Sequence, residues 1–160
     1  MKTTEERAAE NIHDDHVSSL QSLLQKNYDA EKSFKKTMEK AESPLLKDFL
    51  QKQAAQRSRF ATEITDELRN LNEQPRESGT LGGDIHRGWI DVTTAFSGNK
   101  DETVLAECIR GEKSSASEYE DQLKKHNFRP RIANVLRRQS NEIHQTLDEV
   151  KTLKDLAKNK

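Results

Sequence analysis

The stretch LQSLLQKNYDAEKSFKKTM, from Leu20 to Met38, decides the fold of this chain. Its apolar residues recur at intervals that place them on one face of an α-helix: Leu20, Leu24, Phe34 and Met38. The same intervals of three and four residues put Asn27 and Glu31 on that face. Because burying an unpaired carboxylate is costly, Glu31 is expected to have a hydrogen-bonding, cationic or metal partner inside the protein.

The rest of the sequence repeats this helical spacing and shows no strand-like alternation, so we predict an all-α protein. The first helix is expected to run from Asp14 or Asp15 to Ala41, with residues 1–11 frayed. The Ser43-Pro44 turn ends it and starts the next helix. Further amphipathic segments are predicted at about 44–71, 81–96, 101–126 and 130–153.

The long helices form two hairpins, and each is antiparallel because its turn is short. Residues 72–100 are predicted to be a connector that contains a short helix. About 18 helical residues span roughly 27 Å, enough to return along most of a bundle. We therefore predict one domain over residues 1–160, a ferritin-like four-helix bundle in which two antiparallel hairpins are joined by a helical crossover connector.

Composition limits the classes of partner. Hydrophobic residues make up 31% of the chain, charged residues 34%, and the net charge is -1. This balance predicts no nucleic-acid partner, and the lack of a long apolar run predicts no membrane partner. Narrow apolar stripes on polar helices suit a homo-oligomer or a protein partner. The single cysteine, Cys108, lies on an apolar stripe and is interpreted as an inert thiol in a cytoplasmic protein.

Polar residues also occur on the inner faces of the other predicted helices. Glu31 and Glu112 both fall near the middle of the bundle, and Arg57 lies at about the level of Glu31. An arginine there can neutralise either carboxylate through a charge-assisted contact. We therefore predict a buried polar network that consists of Asn27, Glu31, Gln53, Arg57, Glu112 and Gln139.

A carboxylate metal site for iron or manganese is the alternative, with Glu31, Glu112 and Glu142 as candidate ligands. Di-metal sites in four-helix bundles also require a Glu-x-x-His motif on each of two helices. The second helix has QAAQR at residues 53–57 instead, and the one such motif in the chain, at residues 10–13, lies in the segment expected to fray. We therefore favour no cofactor, no catalytic residue and no enzymatic activity.

Several short segments resemble one protein family. They are DAEKSF (29–34), Gln56-Arg57 with Phe60, HRGW (86–89) and ECIRGE (107–112). With these segments the chain resembles, over nearly its whole length, an uncharacterised bacterial family of ferritin-like four-helix-bundle proteins. The resemblance implies a ferritin-like bundle in a bacterial cytoplasm and carries no established activity. The chain departs from ferritin-like metal oxidases at both Glu-x-x-His positions.

Overall fold

The structure describes residues 1–77 and 100–158, and most of these residues are helical. In this computed structural model those residues form five α-helices and no strand, which confirms the prediction of an all-α bundle. The helices are α1 (Thr4–Met38), α2 (Pro44–Asn70), α3 (Lys100–Lys125), α4 (Pro130–Glu149) and α5 (Leu153–Lys158). The short helix predicted at 81–96, most of the predicted connector and the HRGW segment lie outside the described residues.

Helix α1 begins at Thr4, so the predicted start at Asp14 or Asp15 and the predicted fraying of residues 1–11 are wrong for Thr4 onward. A capping box explains the earlier start. The Thr3 hydroxyl accepts a hydrogen bond from the Glu6 amide, and the Glu6 carboxylate accepts one from the Thr3 amide at 2.8 Å. These bonds satisfy amides that would otherwise favour unwinding of the first turn.

Helix α2 has a strong signal at each end. Ser43 caps its start and Pro44 occupies the first turn. At its end Asn72 takes a left-handed conformation (φ 61°), and the Glu73 amide donates to the Leu68 carbonyl at 2.9 Å. This is a Schellman motif, in which asparagine takes the place that glycine more often fills.

Contacts between α1 and the two following long helices define their directions. Asn27 meets Arg57, and His13 meets Glu73 near the end of α2, so α1 and α2 are antiparallel. On α3, Gln122 accepts a hydrogen bond from Ser19, whereas Asp101 lies at the Glu42 end of α1. Helix α3 is therefore also antiparallel to α1, and consequently α2 and α3 run parallel to each other.

The fourth long helix completes the bundle beside α2 and α3. Three ion pairs connect α2 to α4 in antiparallel order: Arg59–Glu142, Glu63–Arg138 and Glu67–Arg131. Helix α1 packs against α2 and α3, and α4 packs against the same two helices. The order around the bundle is thus α1, α2, α4, α3, with the parallel helices α2 and α3 on a diagonal.

The chain turns back along α1 after α2 ends. The Gln21 side chain donates to the Gln74 carbonyl at 2.8 Å and accepts from the Arg76 amide at 2.9 Å. One turn further along α1, the Gln25 side chain donates to the Glu77 carbonyl at 3.3 Å. Residues 74–77 therefore head towards the end of the bundle where α3 begins.

The last predicted helix is in fact two helices, so the expectation of one continuous stripe to Leu153 is wrong. Helix α4 ends at Glu149, and Val150 is extended (φ -121°, ψ 104°). The Asp155 carboxylate accepts hydrogen bonds from the amides of Lys151 and Thr152, at 2.8 and 3.0 Å. These contacts stabilise a new helix start at Leu153, and α5 then packs against α2 and α3.

The core consists of two apolar clusters, one towards each end of the bundle. The first includes Leu24, Phe60 and Leu136, and the second includes Phe34, Leu50 and Leu105. On α1, α2 and α3 the boundary between the clusters falls at a buried polar residue. Those residues are Asn27, Arg57 and Glu112. These three predicted polar positions therefore lie between the two clusters, at the waist of the bundle.

Candidate functional site

The waist of the bundle is organised by Arg57, whose side chain is 1% exposed. Its Nη2 donates to Glu112 Oε1 at 2.9 Å, and its Nη1 donates to Asn27 Oδ1 at 3.2 Å. Arg57 thus joins α2 to both α1 and α3. The Glu112 side chain is 2% exposed, so the ion pair is almost fully withdrawn from water.

Tyr119 extends this network to the fourth helix. Asn27 Nδ2 donates to the Tyr119 hydroxyl at 2.9 Å, and the hydroxyl donates to Gln139 Oε1 at 2.6 Å. Gln139 Nε2 in turn donates to Glu63 Oε1 at 3.1 Å and to the Phe60 carbonyl. The waist therefore carries a continuous chain of hydrogen bonds across all four long helices.

Tyr119 was not among the residues of the predicted polar network. Its position seven residues after Glu112 puts the two side chains on one face of the helix, two turns apart. That spacing, with a hydroxyl that needs a partner when buried, was a usable signal. Burial raises the pKa of the Tyr119 hydroxyl, so it remains a donor at neutral pH.

Some polar atoms at the waist have no hydrogen-bond partner. In the described part of the chain these include Arg57 Nε, Glu112 Oε2 and Gln53 Oε1. Burial raises the pKa of the Glu112 carboxyl above its ordinary value, while the charge and hydrogen bond of Arg57 act in the opposite direction. The Arg57 contact is thus what favours the charged form of Glu112 in this apolar setting.

Glu31 is not part of the network, and its predicted burial at the centre is wrong. Its Oε1 accepts a hydrogen bond from Lys35 Nζ at 2.7 Å, and 19% of its side chain is exposed. A partner one turn away on the same helix holds the carboxylate at the edge of the bundle. Gln53 is buried as predicted, yet no hydrogen bond ties its side-chain oxygen to the other described network residues.

A match to a protein-family model includes most residues of the network at the waist. The family described as Domain of unknown function (DUF2383) matches residues 15–125, which is more than half of the chain. The chain belongs to the DUF2383 family. The matched DUF2383 region contains Asn27, Arg57, Glu112 and Tyr119, whereas α4 with Gln139 lies outside it. No curated protein matches the chain.

The carboxylates of the alternative metal site do not come together in the DUF2383 chain. Glu112 contacts Arg57, Glu31 contacts Lys35, and both oxygens of Glu142 accept hydrogen bonds from the Arg59 guanidinium at 2.6 and 3.1 Å. Within residues 1–77 and 100–158, no group of three histidine, cysteine or acidic side chains could hold a metal ion. In the described structure the three candidate ligands are therefore each paired with a cation and lie in three separate places.

Other reactive side chains of this DUF2383 protein lie away from the waist or are protected. Cys108 is buried, and burial raises the pKa of its thiol, with the nearby Glu112 charge acting in the same direction. A protonated buried thiol is a poor nucleophile. His16 and His126 pack near Phe128 at one end of the bundle, where burial and the His126 charge lower the pKa of His16.

Within the described ranges, each helix is too short or too polar to cross a membrane. Two arginines of α4, Arg131 and Arg138, pair with glutamates of α2. Both remain more than half exposed, so they border the α2–α4 seam and are not buried in it.

Proposed function

We propose that this protein is a non-catalytic ferritin-like bundle that acts by association with a second copy or with another protein. The proposal rests on the groups that occupy the waist of the bundle, the Arg57 guanidinium and the Glu112 carboxylate. Metal-binding bundles use this central region for convergent carboxylate ligands. Here the Arg57 guanidinium donates a hydrogen bond to the central carboxylate Glu112, and the positive charge of Arg57 would repel a dication.

The ferritin-like part of the proposal is supported by the directions of the helices. A bundle with one long crossover has antiparallel hairpins and a parallel second and third helix. In this chain α2 and α3 are parallel, and residues 74–77 leave the end of α2 along α1 towards the start of α3. The resemblance to a bacterial ferritin-like family, together with the polar composition, further supports a bacterial cytoplasmic protein.

The association part of the proposal is supported by the N-terminal portion of α1. Residues 1–12 are all exposed, and His13 contacts Glu73 just beyond the end of α2. The first turns of α1 therefore project past the α1–α2 hairpin as a helical extension. Ile12, an apolar residue on this extension, is 56% exposed, and such a side chain gains by being covered by another molecule.

A degenerate carboxylate metal site is the second candidate, and one observation favours it. Glu112 Oε2 is buried and has no hydrogen-bond partner in the described structure, so one lone-pair donor remains unused at the waist. Iron or manganese would have to bind there against the charge of Arg57. Because of this repulsion, the metal site is a weaker candidate function than association.

Sedimentation velocity and elemental analysis on protein purified without a tag test both candidates. We expect a concentration-dependent oligomer or a stable heteromeric complex, and less than stoichiometric iron, manganese and zinc. Ile12→Glu should weaken association, whereas Asp66→Lys, at an exposed position of α2, should not. Stoichiometric metal that is lost in Glu112→Gln would overturn the proposal in favour of the metal site.

A further inference from the structure

A notch of about 230 Å³ lies at the base of the α1 extension (residues 1–12), where α1 passes the end of the bundle. Ala9 and Ile12 of α1 line one side of it. Leu71, just after α2, and Ile132, near the start of α4, contribute two further apolar side chains. For scale, an apolar cavity of about 150 Å³ can hold benzene. Because Ile12 is 56% exposed, the notch is open to an aliphatic side chain of another molecule.

One face of α1 continues from this notch towards the start of the helix. Glu5, Ala9, Ile12 and His16 follow each other at intervals of four, three and four residues, so they share that face. Ala9, Ile12 and His16 line the notch. Glu5 is exposed, and no ion pair or side-chain hydrogen bond involves it within residues 1–77 and 100–158. Its carboxylate is therefore available to a cation of another molecule.

The notch and the extension have opposite charge. The titratable residues that line the notch are all basic: His13, His16 and Arg129. Arg129 is exposed, and it has no ion pair in the described part of the chain. Residues 122–131 contain four lysines and arginines and no acidic residue, whereas residues 1–15 contain five acidic and two basic residues. The extension of one molecule is therefore complementary in charge to the notch of another.

Arg129 lies close to His16, at the inner end of the same notch. Burial lowers the pKa of the His16 imidazole, and the nearby charges of His126 and Arg129 act in the same direction. A carboxylate that reaches His16 from another molecule therefore also reaches the field of the Arg129 guanidinium.

An antiparallel pair of α1 extensions brings these groups together. The interval from Glu5 to Ala9 equals the interval from Ile12 to His16, four residues in each case. The register that places Ile12 of one copy opposite Ala9 of the other therefore also places Glu5 opposite His16, next to Arg129. Because such a pair is two-fold symmetric, every contact occurs twice.

We propose that two copies of this chain associate by antiparallel pairing of their α1 extensions, with Ile12 of each copy in the notch of the other and Glu5 of each beside Arg129 of the other. Burial of Ile12 and of the open apolar surface of the notch provides affinity. The two charge pairs fix the register. This inference rests on the proposed association and adds its partner, a second copy, and its contacts.

Sedimentation velocity of charge-reversal variants of the full chain tests the pairing. Glu5→Arg and Arg129→Glu should each weaken dimerisation about three- to thirtyfold, because each changes two exposed charge pairs of the symmetric dimer. The double variant Glu5→Arg/Arg129→Glu should recover most of the affinity, because the two charges of each pair are exchanged. Added salt should weaken the wild-type dimer more than a dimer held by apolar contacts alone.

Asp14→Arg is the matched control for Glu5→Arg. Asp14 is exposed, and its position nine residues after Glu5 puts it on the opposite face of α1. The substitution changes the net charge by the same amount and should leave dimerisation unchanged. Equal losses in Asp14→Arg and Glu5→Arg, or a double variant no tighter than the single variants, would overturn the proposed pairing.

Disulfide formation between two single variants tests the register. In a Cys108→Ala background, an equimolar mixture of Ala9→Cys and Ile12→Cys should form an interchain disulfide faster than either variant alone, as read by intact mass. Only the mixed dimer places the two cysteines opposite each other at a distance that a disulfide can span. Equal rates in the mixture and in either variant alone would contradict this register.

The same measurements separate this inference from the proposed association. A wild-type dimer that is insensitive to the charge reversals, or a heteromeric complex without self-association, would overturn the inference and leave the proposed association standing. A chain that is monomeric at all concentrations and forms no complex would overturn both.

Discussion

Arg57 is a charged side chain withdrawn almost entirely from water, so its stability depends on the groups that face it. Glu112 supplies the compensating charge and Asn27 supplies a neutral acceptor. Removing one member of such a pair leaves the other charge buried without compensation, which typically costs 3–5 kcal/mol, whereas replacing both with apolar residues is often neutral. The energy of the waist is thus a property of the pair and not of either residue.

Arg57→Met should therefore lower the free energy of unfolding by about 3–5 kcal/mol at pH 7. The double variant Arg57→Met/Glu112→Met should recover most of this loss, because no charge then remains at the waist. Urea denaturation of the wild type, both single variants and the double variant gives the coupling energy directly.

Arg59→Met is the matched control for this cycle. Arg59 also pairs with a glutamate, Glu142, but about half of its side chain is exposed. Loss of an exposed pair costs at most about 1 kcal/mol. A double variant at the waist that is no more stable than Arg57→Met would contradict the account of a charge-compensated pair.

The pH dependence of stability should reveal the burial of Glu112. Burial raises its pKa in the folded state, so the stability that this carboxyl contributes is present below its unfolded pKa of about 4.3 and is lost as pH rises through the folded value. The free energy of unfolding of the wild type, relative to Glu112→Gln, should therefore fall as pH increases from 4 to 8. Urea unfolding across this range measures the trend.

Glu118→Gln, on the same helix, should give the opposite trend. Burial acts to raise the pKa of Glu118, but hydrogen bonds from Lys26 and Gln122 outweigh it and lower the pKa. Its contribution is then present above the unfolded pKa and lost as pH falls. If both variants showed the same slope relative to the wild type, the assigned direction for Glu112 would be incorrect.

At the residue scale, helical spacing alone located Asn27, Arg57, Glu112 and Gln139 at buried positions. It failed for Glu31 because helical spacing indicates only the direction of the Cα–Cβ bond. It does not show where the carboxylate at the end of a long side chain lies. A glutamate near the edge of a stripe can turn to a lysine one turn away, as Glu31 does towards Lys35. The partner of each inward residue also depends on the neighbouring helix, which spacing does not identify.

At the scale of the elements, helix ends with proline or a strong cap were predictable, and ends made by distant contacts were not. Ser43 and Pro44 start α2 where expected. At the start of α3, the two carboxylate oxygens of Asp101 accept hydrogen bonds from the amides of Glu42 and Ser43, at 2.9 and 2.8 Å. This contact attaches the start of α3 to the α1–α2 turn.

Asp101→Ala should destabilise the protein by about 2 kcal/mol, because two turn amides lose a charged acceptor. Amide hydrogen exchange should show the loss locally, as faster exchange at Glu42 and Ser43. Asp66→Ala, which changes the same residue type at an exposed position of α2, should stay within about 0.5 kcal/mol of the wild type. Equal effects of the two substitutions would show that the Asp101 contact contributes nothing to stability.

At the scale of the whole molecule, the feature of the sequence that predicted the helix directions was the length of the segment between the two hairpins. A connector long enough to return along the bundle predicts that α2 and α3 are parallel. The contacts of Ser19 and Asp101 show that these two helices are parallel. The sequence could not supply the order of helices around the bundle. That order depends on side-chain pairs such as Arg59–Glu142, which become visible only once the helices are packed.

Chemical cross-linking can distinguish this topology from an up-down-up-down bundle. Lys100 Nζ lies 3.8 Å from Glu42 Oε1, and both side chains are at least 40% exposed. In a Cys108→Ala background, the cysteine pair Glu42→Cys/Lys100→Cys should therefore cross-link rapidly with a short bis-maleimide, as read by intact mass. In an up-down-up-down bundle α3 would start at the His13 end, so the pair His13→Cys/Lys100→Cys would react instead. Faster cross-linking of that second pair would contradict the parallel arrangement of α2 and α3.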